Sequence, residues 1–512
     1  MNARRQSARS RVARRRALAA APVIAIIAAA CGSESTPTTS PGPKPSPVPV
    51  TNVALASNPN NVLSTIVTFQ APGADSARVV YTADDGSTGA TPFTTGVDSG
   101  RIVALGLAPS TSYRMIVEAR TGDTSAVSDS TTFTTDTLPS FLAGTQLVSS
   151  VPSTGGYVLA GLRDGNAEYV VAFDSTGRVA WYRAFNEGTG IGEIKQQQNG
   201  NVTVFLGNNS GGFPLPGRYV EIAPSGDTVR SFTTTGATYV DNHELWILTK
   251  DGAYDGAVMF TLTERHVDLS AQGGPADTVV SGHQVVRIDA DGSQHVVFDA
   301  WDHFSPADNV EPIPGQEDFD HPNALAFTPD GNYLVSWRNL DAITKIDATT
   351  GAILWTLASP WAAVPSDFTI VGDPLGGFSA QHSVRVTPDG TVLLFDNGTL
   401  HSPPVSRGLE YRIDENAKTA TLVRQFLHTP PYYDQFTGSV QRLANGNTLI
   451  GWTWNTSPIA ATEMTPSGTV VWEGTLQAPS PQLPYRFTKI ASLYRLSLIQ
   501  ISEPTRLDVL AY

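Results

Sequence analysis

Cysteine is almost absent from this chain: Cys31 is the only one among 512 residues, which excludes an internal disulfide. Positive charge is also scarce, since 33 lysines and arginines face 47 aspartates and glutamates, so nucleic acids and anionic membrane surfaces are poor partners. Helix-type periodic runs are few, whereas glycine, proline and stretches rich in Val, Thr and Tyr are frequent. The sequence therefore predicts an all-β protein, and its length predicts two or more domains.

The first 31 residues predict export. Residues 1–30 contain seven arginines and no acidic residue, and their apolar part, residues 17–30, is too short to span a membrane. Cys31 directly follows three alanines, which resembles a bacterial lipoprotein signal whose cysteine is lipidated after cleavage. We therefore expect an exported protein, lipid-anchored at the cell envelope in the periplasm or on the cell surface, with no other membrane contact. A plain signal peptide with an incidental cysteine is the alternative, and the pair Arg15 and Arg16 leaves the Sec and twin-arginine routes both open.

Composition marks three further segments. Residues 32–50 are rich in Ser, Thr and Pro, which predicts an extended linker. Residues 51–136 show short alternating strands, and a leucine and a proline turn before Tyr113 resemble the fibronectin type III signature with its tyrosine corner. We expect a small β-sandwich there, acting as a spacer or packing module. Residues 496–512 resemble a translated sequencing adapter, which predicts a foreign tail after an interrupted reading frame.

Two classes of turn alternate through residues 139–495. One resembles Asp174 to Gly177 and is often followed by a tryptophan expected in the core, as at Trp181, Trp355 and Trp472. The other contains Asn-Gly or Asp-Gly, the pairs that supply the positive φ of tight hairpins. The first class recurs at roughly 50 to 65 residues, which predicts six four-stranded repeats arranged as a six-bladed β-propeller after the β-sandwich. An irregular pair of β-sandwiches would not produce two interleaved turn classes.

Polar residues suited to anion chemistry recur in short motifs near strand ends. These motifs are D-N-H-E with His243, H-P-N with His321 and Asn323, W-R-N with Arg338, and Q-H with His382. Inner strands of successive propeller blades converge on a central channel, so we expect these side chains to meet there. An arginine offers a rigid fork of donors to anion oxygens, and a neutral imidazole is a competent nucleophile. The other histidines are expected to be structural: His266, His283, His295, His303, His401 and His428.

The ordered set of H-P-N, W-R-N, Q-H and F-D-N-G (residues 395–398) resembles the bacterial arylsulfate sulfotransferase family over nearly the whole chain after the signal. The resemblance implies ping-pong transfer of a sulfuryl group from a phenolic sulfate ester to a phenolic acceptor, without a nucleotide donor, cofactor or metal. It implies that His382 is the nucleophile that forms a sulfohistidine. It further implies catalytic roles for His321 and His243, and binding of the sulfuryl oxygens by Asn323 and Arg338.

Other interpretations stay open at this level. Residues 346–355 also resemble the tryptophan-docking repeat of quinone-cofactor dehydrogenases, although only three repeats carry the tryptophan and the paired cysteines of those enzymes are impossible here. A non-catalytic surface-binding propeller and a three-histidine zinc site are further alternatives. The physiological donor and acceptor depend on loops such as residues 378–380 and 430–436. The oligomeric state is open, with a homodimer among the options.

Overall fold

The computed structural model describes residues 48–96, 99–165, 167–207, 217–234, 238–312, 318–454 and 459–494. In these ranges the chain is nearly all β, which confirms the predicted class. No helix in them is long and apolar enough to cross a membrane. The predicted signal with Cys31, nearly all of the linker and the adapter-like tail lie outside the described residues.

The N-terminal region is built from short strands that pair in two sheets. The strands are β1 (Thr51–Ser57), β2 (Ser64–Gln70), β3 (Ser76–Ala83), β4 (Thr88–Ala90), β5 (Thr94–Thr95), β6 (Ser99–Leu105), β7 (Ser112–Thr121), β8 (Thr124–Val127) and β9 (Thr131–Thr134). One sheet has the order β1–β2–β6, and the other has the order β4–β3–β7–β8, with β5 on β3 and β9 on β7. Alternate side chains such as Val67 and Val117 form one shared core. The hydroxyl of Tyr113 accepts the N–H of Ala108 at 2.8 Å, as expected for a tyrosine corner.

The remaining strands follow a short helix, α1 (Ser140–Ala143). They are β10 (Gln146–Val148), β11 (Tyr157–Asp164), β12 (Ala167–Phe173), β13 (Val179–Phe185), β14 (Ile191–Gln196), β15 (Val202–Gly207), β16 (Gly217–Ile222), β17 (Thr228–Phe232), β18 (Tyr239–Lys250), β19 (Ala253–Val267), β20 (Thr278–Ile288), β21 (Gln294–Asp299), β22 (Pro322–Phe327), β23 (Tyr333–Trp337), β24 (Ala342–Ile346), β25 (Ile353–Ala358), β26 (Thr369–Val371), β27 (His382–Val386), β28 (Val392–Asp396), β29 (Arg407–Asp414), β30 (Thr419–Phe426), β31 (Ser439–Arg442), β32 (Thr448–Gly451), β33 (Ile459–Met464), β34 (Val470–Gln477) and β35 (Thr488–Ile490). Three short 3₁₀ turns complete the described elements: Ser270–Gln272, Ala300–Asp302 and Pro306–Asp308.

These strands form six successive sheets, one for each predicted repeat. Their orders are β13–β12–β11–β35, β14–β15–β16–β17, β18–β19–β20–β21, β22–β23–β24–β25, β26–β30–β29–β28–β27 and β10–β34–β33–β32–β31. Trp181, Trp355 and Trp472 are buried, as predicted. Positive-φ glycines occupy the turns between strands, and at Gly177 an added Cβ would lie 1.8 Å from the carbonyl oxygen of Leu147, so no larger residue fits.

Strands from the beginning of this region pair with strands from its end. Strand β35 completes the sheet of β11, and β10 extends the sheet of β34. One strand of each sheet contacts a strand of the next sheet in chain order: these strands are β11, β14, β18, β22, β27 and β31, and β31 also contacts β35. The candidate histidines and Asn323 lie on β18, β22 and β27 or immediately before them, whereas Arg338 immediately follows β23.

The N-terminal sheets are joined to this region by hydrogen bonds. The N–H of Leu105 donates to the hydroxyl of Tyr494 at 2.8 Å, and the side-chain amide of Asn58 donates to the carbonyl of Ser225 at 2.8 Å. The N-terminal region is therefore docked on its neighbour by directional contacts as well as by apolar packing.

Candidate active site

The strands that carry the candidate residues are irregular where those residues lie. Pairing with the neighbouring strand shifts register between Val240 and Leu245 in β18, between Pro322 and Ala324 in β22, and between His382 and Arg385 in β27. His321 and Ala380 have φ angles of 47° and 48°, in the left-handed region. Bulges redirect side chains, and non-glycine residues with positive φ persist only where their surroundings hold them. The backbone is therefore shaped locally to aim these side chains into the interior.

Three of the predicted residues form a chain of imidazole rings. The ring centroids of His243 and His321 are 4.7 Å apart, and those of His321 and His382 are 6.5 Å apart. All three side chains are buried. Arg338 is also buried, and its positive charge acts on both His321 and His382. The structure thus brings together one arginine and three histidines from three successive sheets.

The surroundings of His382 fix its tautomer. Its Nδ1 lies 2.7 Å from Oδ1 of Asn397 and 3.0 Å from the carbonyl oxygen of Ala380, and both of these atoms are acceptors. The orientation of the Asn397 amide is set by its Nδ2, which donates to the carbonyls of Asp434 and Thr437. Nδ1 must therefore carry the proton, which leaves the lone pair on Nε2. No hydrogen bond from the described residues engages that lone pair.

The electrostatic environment keeps His382 neutral. Burial lowers the pKa of its imidazole well below 6.5, and the positive charge of Arg338 lowers it further. The imidazole is therefore neutral at neutral pH, with the proton on Nδ1 and a lone pair on Nε2 that lies in the field of a cation. This is the state that a nitrogen nucleophile requires.

Two donor atoms of the Arg338 guanidinium, Nη1 and Nε, differ in their hydrogen-bond partners. Its Nη1 donates to the carbonyl of Glu311 at 3.0 Å and to Oδ1 of Asn339 at 2.8 Å. Its Nε is buried and has no hydrogen-bond partner among the described residues. An unpaired buried donor on a cation is costly unless an anion completes it. Arg338 is therefore suited to bind an oxyanion next to His382.

The other two histidines are each oriented by a carboxylate. Nδ1 of His321 lies 2.5 Å from Asp318, and Nδ1 of His243 lies 2.9 Å from both oxygens of Asp241. Burial lowers the pKa of His321 below 6.5, although Asp318 opposes this shift. Burial acts against the ionised form of Asp318, but His321 lowers its pKa to about 2. Both imidazoles therefore direct Nδ1–H to a carboxylate and keep Nε2 for a ligand.

His283, expected from the sequence to be a structural residue, supports this arrangement. Its Nδ1 lies 2.6 Å from Asp320, and its Nε2 lies 3.5 Å from Asp241. Burial alone would lower its pKa, but the carboxylates of Asp320 and Asp241 raise it well above 6.5. Asp320 also accepts the backbone N–H of His321 at 2.9 Å. A buried imidazolium thus connects the supports of His243 and His321.

Asn323 contacts the strand of His382 in this structure. Its Nδ2 donates to the carbonyl of Gln381 at 2.7 Å, while its Oδ1 is buried without a partner among the described residues. The Nε2 of Gln381 in turn donates to the carbonyls of Trp337 and Ala342, both at 3.0 Å. Asn323 therefore positions the backbone next to His382, and its second amide hydrogen is the one available to a ligand.

A separate ion-pair cluster lies behind Asn323. Arg486 donates to the backbone carbonyl of Asn323 at 2.5 Å and pairs with Glu193 and Glu244, which also pair with Lys195. A cavity of about 300 Å³ lined by Glu193, Lys195 and Arg486 adjoins this cluster. The two glutamates of the ion-pair cluster lie on β14 and β18, so their shared pairing with Lys195 connects these neighbouring strands.

The zinc alternative finds no support in the geometry. Within the described ranges no group of three or more His, Cys, Asp or Glu side chains is placed to hold a metal ion.

Arg407 and Tyr411 have structural roles, since both contact the side chain of Asp373.

The structure is that of an all-β protein with a buried cluster of three histidines and one arginine, whose residue types suit an anion. The chain belongs to the Arylsulfotransferase (ASST) family, whose family model matches residues 136–478. That membership supports aryl sulfotransferase activity, with an aryl sulfate as donor and a phenol as acceptor. No functionally curated protein matches the chain.

Several solved structures resemble the chain weakly. A protein of unknown function from Bacteroides caccae shares 12% identity at a TM-score of 0.42, covering 66% of this chain and 100% of that one. A Lactobacillus plantarum protein shares 12% identity at a TM-score of 0.33, covering 81% and 99%. AztD from Citrobacter koseri shares 10% identity at a TM-score of 0.32, covering 81% and 98%. With TM-scores this low, these likenesses carry no argument about fold or function.

Proposed function

We propose that this protein transfers a sulfuryl group from an aryl sulfate ester to a phenolic acceptor through a covalent sulfohistidine at His382. The observation that carries the proposal is the state of that residue. Its Nδ1–H is held by Asn397, so the lone pair on Nε2 is free beside the unpaired Nε–H of Arg338. A sulfuryl group carries its charge on peripheral oxygens, as a phosphoryl group does, so positioned donors and electrostatics dominate its transfer.

In the first half-reaction, Nε2 of His382 attacks the sulfur of the donor. The N–S bond forms as the bond from sulfur to the aryl oxygen breaks, and the bonding electrons leave with that oxygen. Arg338 and the amide of Asn323 bind the sulfuryl oxygens. His321 acts in the form that carries a proton on Nε2, which the carboxylate of Asp318 favours against the effect of burial, and it gives this proton to the departing phenolate. His243 contacts the ring of His321 and supports it. Such general acid help is typically worth about 10² to 10⁴ in rate.

In the second half-reaction, a phenol replaces the released product. Its oxygen attacks the sulfur, its proton passes to the now neutral Nε2 of His321, and the N–S bond breaks with its electrons returning to His382. The lowered pKa of His321 favours this step, because its neutral form is then the available base. His382 and His321 thus both return to the protonation states in which they began the cycle.

Three further proposals concern the fold and the location of the protein. The contacts between inner strands and the pairing of β35 with β11 support a closed six-bladed propeller around the site. The two N-terminal sheets and the Tyr113 contact support a fibronectin III-like sandwich. The signal-like residues 1–31 support export with a lipid on Cys31, and mass spectrometry of the membrane fraction tests this, since an unlipidated Cys31 would remove the anchor.

The test of the function is transfer from 4-nitrophenyl sulfate to phenol without a nucleotide donor. We expect phenol-dependent release of nitrophenol by the wild type, and loss of this release in His382→Ala. Without acceptor, intact mass spectrometry should show one sulfuryl group on the wild type and none on His382→Ala. The exposed His266 provides a matched control, and His266→Ala should retain both properties. Undiminished turnover by His382→Ala would refute the mechanism.

A further inference from the structure

We propose that Tyr433, Phe436 and Trp454 form an aryl platform that binds the aromatic ring of the sulfate donor beside Arg338. This inference rests on the proposed function and assigns the recognition of the aryl group to these three side chains. The remaining site residues are polar, so they explain how the sulfuryl group is held but give no surface for the ring.

Phe436 and Trp454 are in contact, Tyr433 lies three residues before Phe436, and all three side chains are at least partly exposed. Trp454 is 47% exposed and Tyr433 is 37% exposed, although large aromatic side chains are usually well buried. The rings of Phe436 and Trp454 meet edge to face, with centroids 5.7 Å apart and an interplanar angle of 89°. A contiguous exposed apolar patch of this kind marks a place where a ligand binds.

The platform adjoins the residue that binds the sulfuryl oxygens. The guanidinium carbon of Arg338 lies 5.3 Å from the ring centroid of Phe436, within the range of a cation–π contact. The charge of Arg338 also acts on the hydroxyl of Tyr433. A donor whose sulfuryl group is bound by Arg338 can therefore place its aromatic ring against Phe436, which contacts Trp454.

The platform is also tied to the support of the nucleophile. The carboxylate of Asp434 accepts the backbone N–H groups of Thr453 and Trp454 at 2.9 and 3.2 Å. The carbonyl of Asp434 accepts from Nδ2 of Asn397, whose Oδ1 holds His382. One hydrogen-bonded path thus sets the position of Trp454 relative to the reacting nitrogen, so the ring and the sulfur can be placed together.

The chemistry of the platform predicts a preference for aryl over alkyl sulfates. Aromatic rings pair favourably in offset-stacked or edge-to-face geometry, which an alkyl chain cannot reproduce. The contact lies away from the bond that breaks, so it is equally strong before and during the reaction. Its loss should therefore raise KM and leave kcat nearly unchanged.

The experiment compares Trp454→Ala and Phe436→Leu with the wild type on 4-nitrophenyl, 2-naphthyl and n-hexyl sulfate. We expect about tenfold higher KM for both aryl donors, kcat within about twofold, and unchanged KM for hexyl sulfate. Trp454→Phe should restore most of the affinity because it keeps an aromatic face. Leu483→Ala, which removes an exposed apolar side chain outside the platform, should have no effect. Thermal melting confirms that each variant is folded.

Binding without turnover separates this inference from the function itself. Calorimetric titration of His382→Ala with 4-nitrophenyl sulfate should show binding that is weakened about tenfold by Trp454→Ala. If the wild type transfers no sulfuryl group but this binding pattern is found, the proposed function fails and the platform stands. If transfer occurs and the platform variants keep the aryl KM, or raise it equally for hexyl sulfate, the platform is wrong.

Discussion

Replacing Arg338 by glutamine should remove both the anion donor and the charge that acts on His382. Nη1 of Arg338 already donates to Glu311 and Asn339, whereas its buried Nε has no hydrogen-bond partner among the described residues. Removing one preorganised donor to a developing oxyanion costs about 10² to 10³ in kcat, or about 2.7 to 4 kcal/mol. We therefore expect kcat/KM of Arg338→Gln to fall by about that factor at neutral pH.

The same substitution should also change the pH dependence of the reaction. After burial, the charge of Arg338 is the strongest influence that lowers the pKa of His382. Without that charge the pKa rises towards 6.5 but stays below it, because burial is unchanged. The folded enzyme needs neutral His382, so activity is present above this pKa and is lost as the pH falls through it. The acidic limb of kcat/KM should therefore move to higher pH in Arg338→Gln.

Arg338→Lys separates charge from geometry. Lysine keeps the positive charge but lacks the planar fork of donors, so we expect an acidic limb near that of the wild type together with reduced kcat/KM. Arg412→Gln, on the exposed face of β29, is the matched control and should behave as wild type. The reasoning is refuted if folded Arg338→Gln stays within tenfold of wild-type kcat/KM and its acidic limb coincides with that of the wild type.

Two further predictions concern stability. His283→Gln removes the imidazolium between two buried carboxylates and should lower the free energy of unfolding by about 3 kcal/mol, since breaking a buried ion pair costs about 3–5 kcal/mol. Chemical denaturation measures this change. His266→Gln is the control, because the ion pair of His266 is exposed and its loss should not alter stability. Tyr494→Phe leaves the N–H of Leu105 without its acceptor and should lower the free energy of unfolding by about 1 to 3 kcal/mol in the same assay. An unaltered unfolding midpoint would show that this contact does not join the two regions in solution.

Much of the fold follows from local turn chemistry. Turns of the class seen at Asp174 to Gly177 recur at roughly 50 to 65 residues, so their spacing predicted six repeats, and six sheets are present after α1 in the described chain. The closure of the first sheet by β35 was not predicted. Residues 488–490 carry no signal that assigns them to β11, because the pairing depends on where the chain returns in space.

The candidate site was predicted only in part for a similar reason. His382, His321, His243 and Arg338 stand in motifs whose residue types suit anion chemistry, and the structure brings them together, while their catalytic roles stay predictions. The support from His283 could not be read from its neighbours in sequence. Its two carboxylate partners are Asp241 on another strand and Asp320 just before β22, and only sheet pairing places them around one imidazole.

The tautomer of His382 also could not be predicted from the sequence. Asn397 stands in the F-D-N-G motif, but its role depends on which way its amide points. That orientation is set by the carbonyls of Asp434 and Thr437, which lie in a different loop. A residue type can therefore be predicted to belong to the site, whereas the direction of a hydrogen bond needs the three-dimensional arrangement.

The pairing of β35 with β11 has a consequence for biosynthesis. Strand β11 begins at Tyr157, yet its partner on one side is Thr488–Ile490, near the end of the described chain. During synthesis from the N-terminus, the first of the six sheets therefore keeps an unpaired edge until residues 488–490 have left the ribosome. This protein should depend on chaperones late in its synthesis, and any truncation before residue 488 should yield an aggregation-prone species rather than a smaller working enzyme.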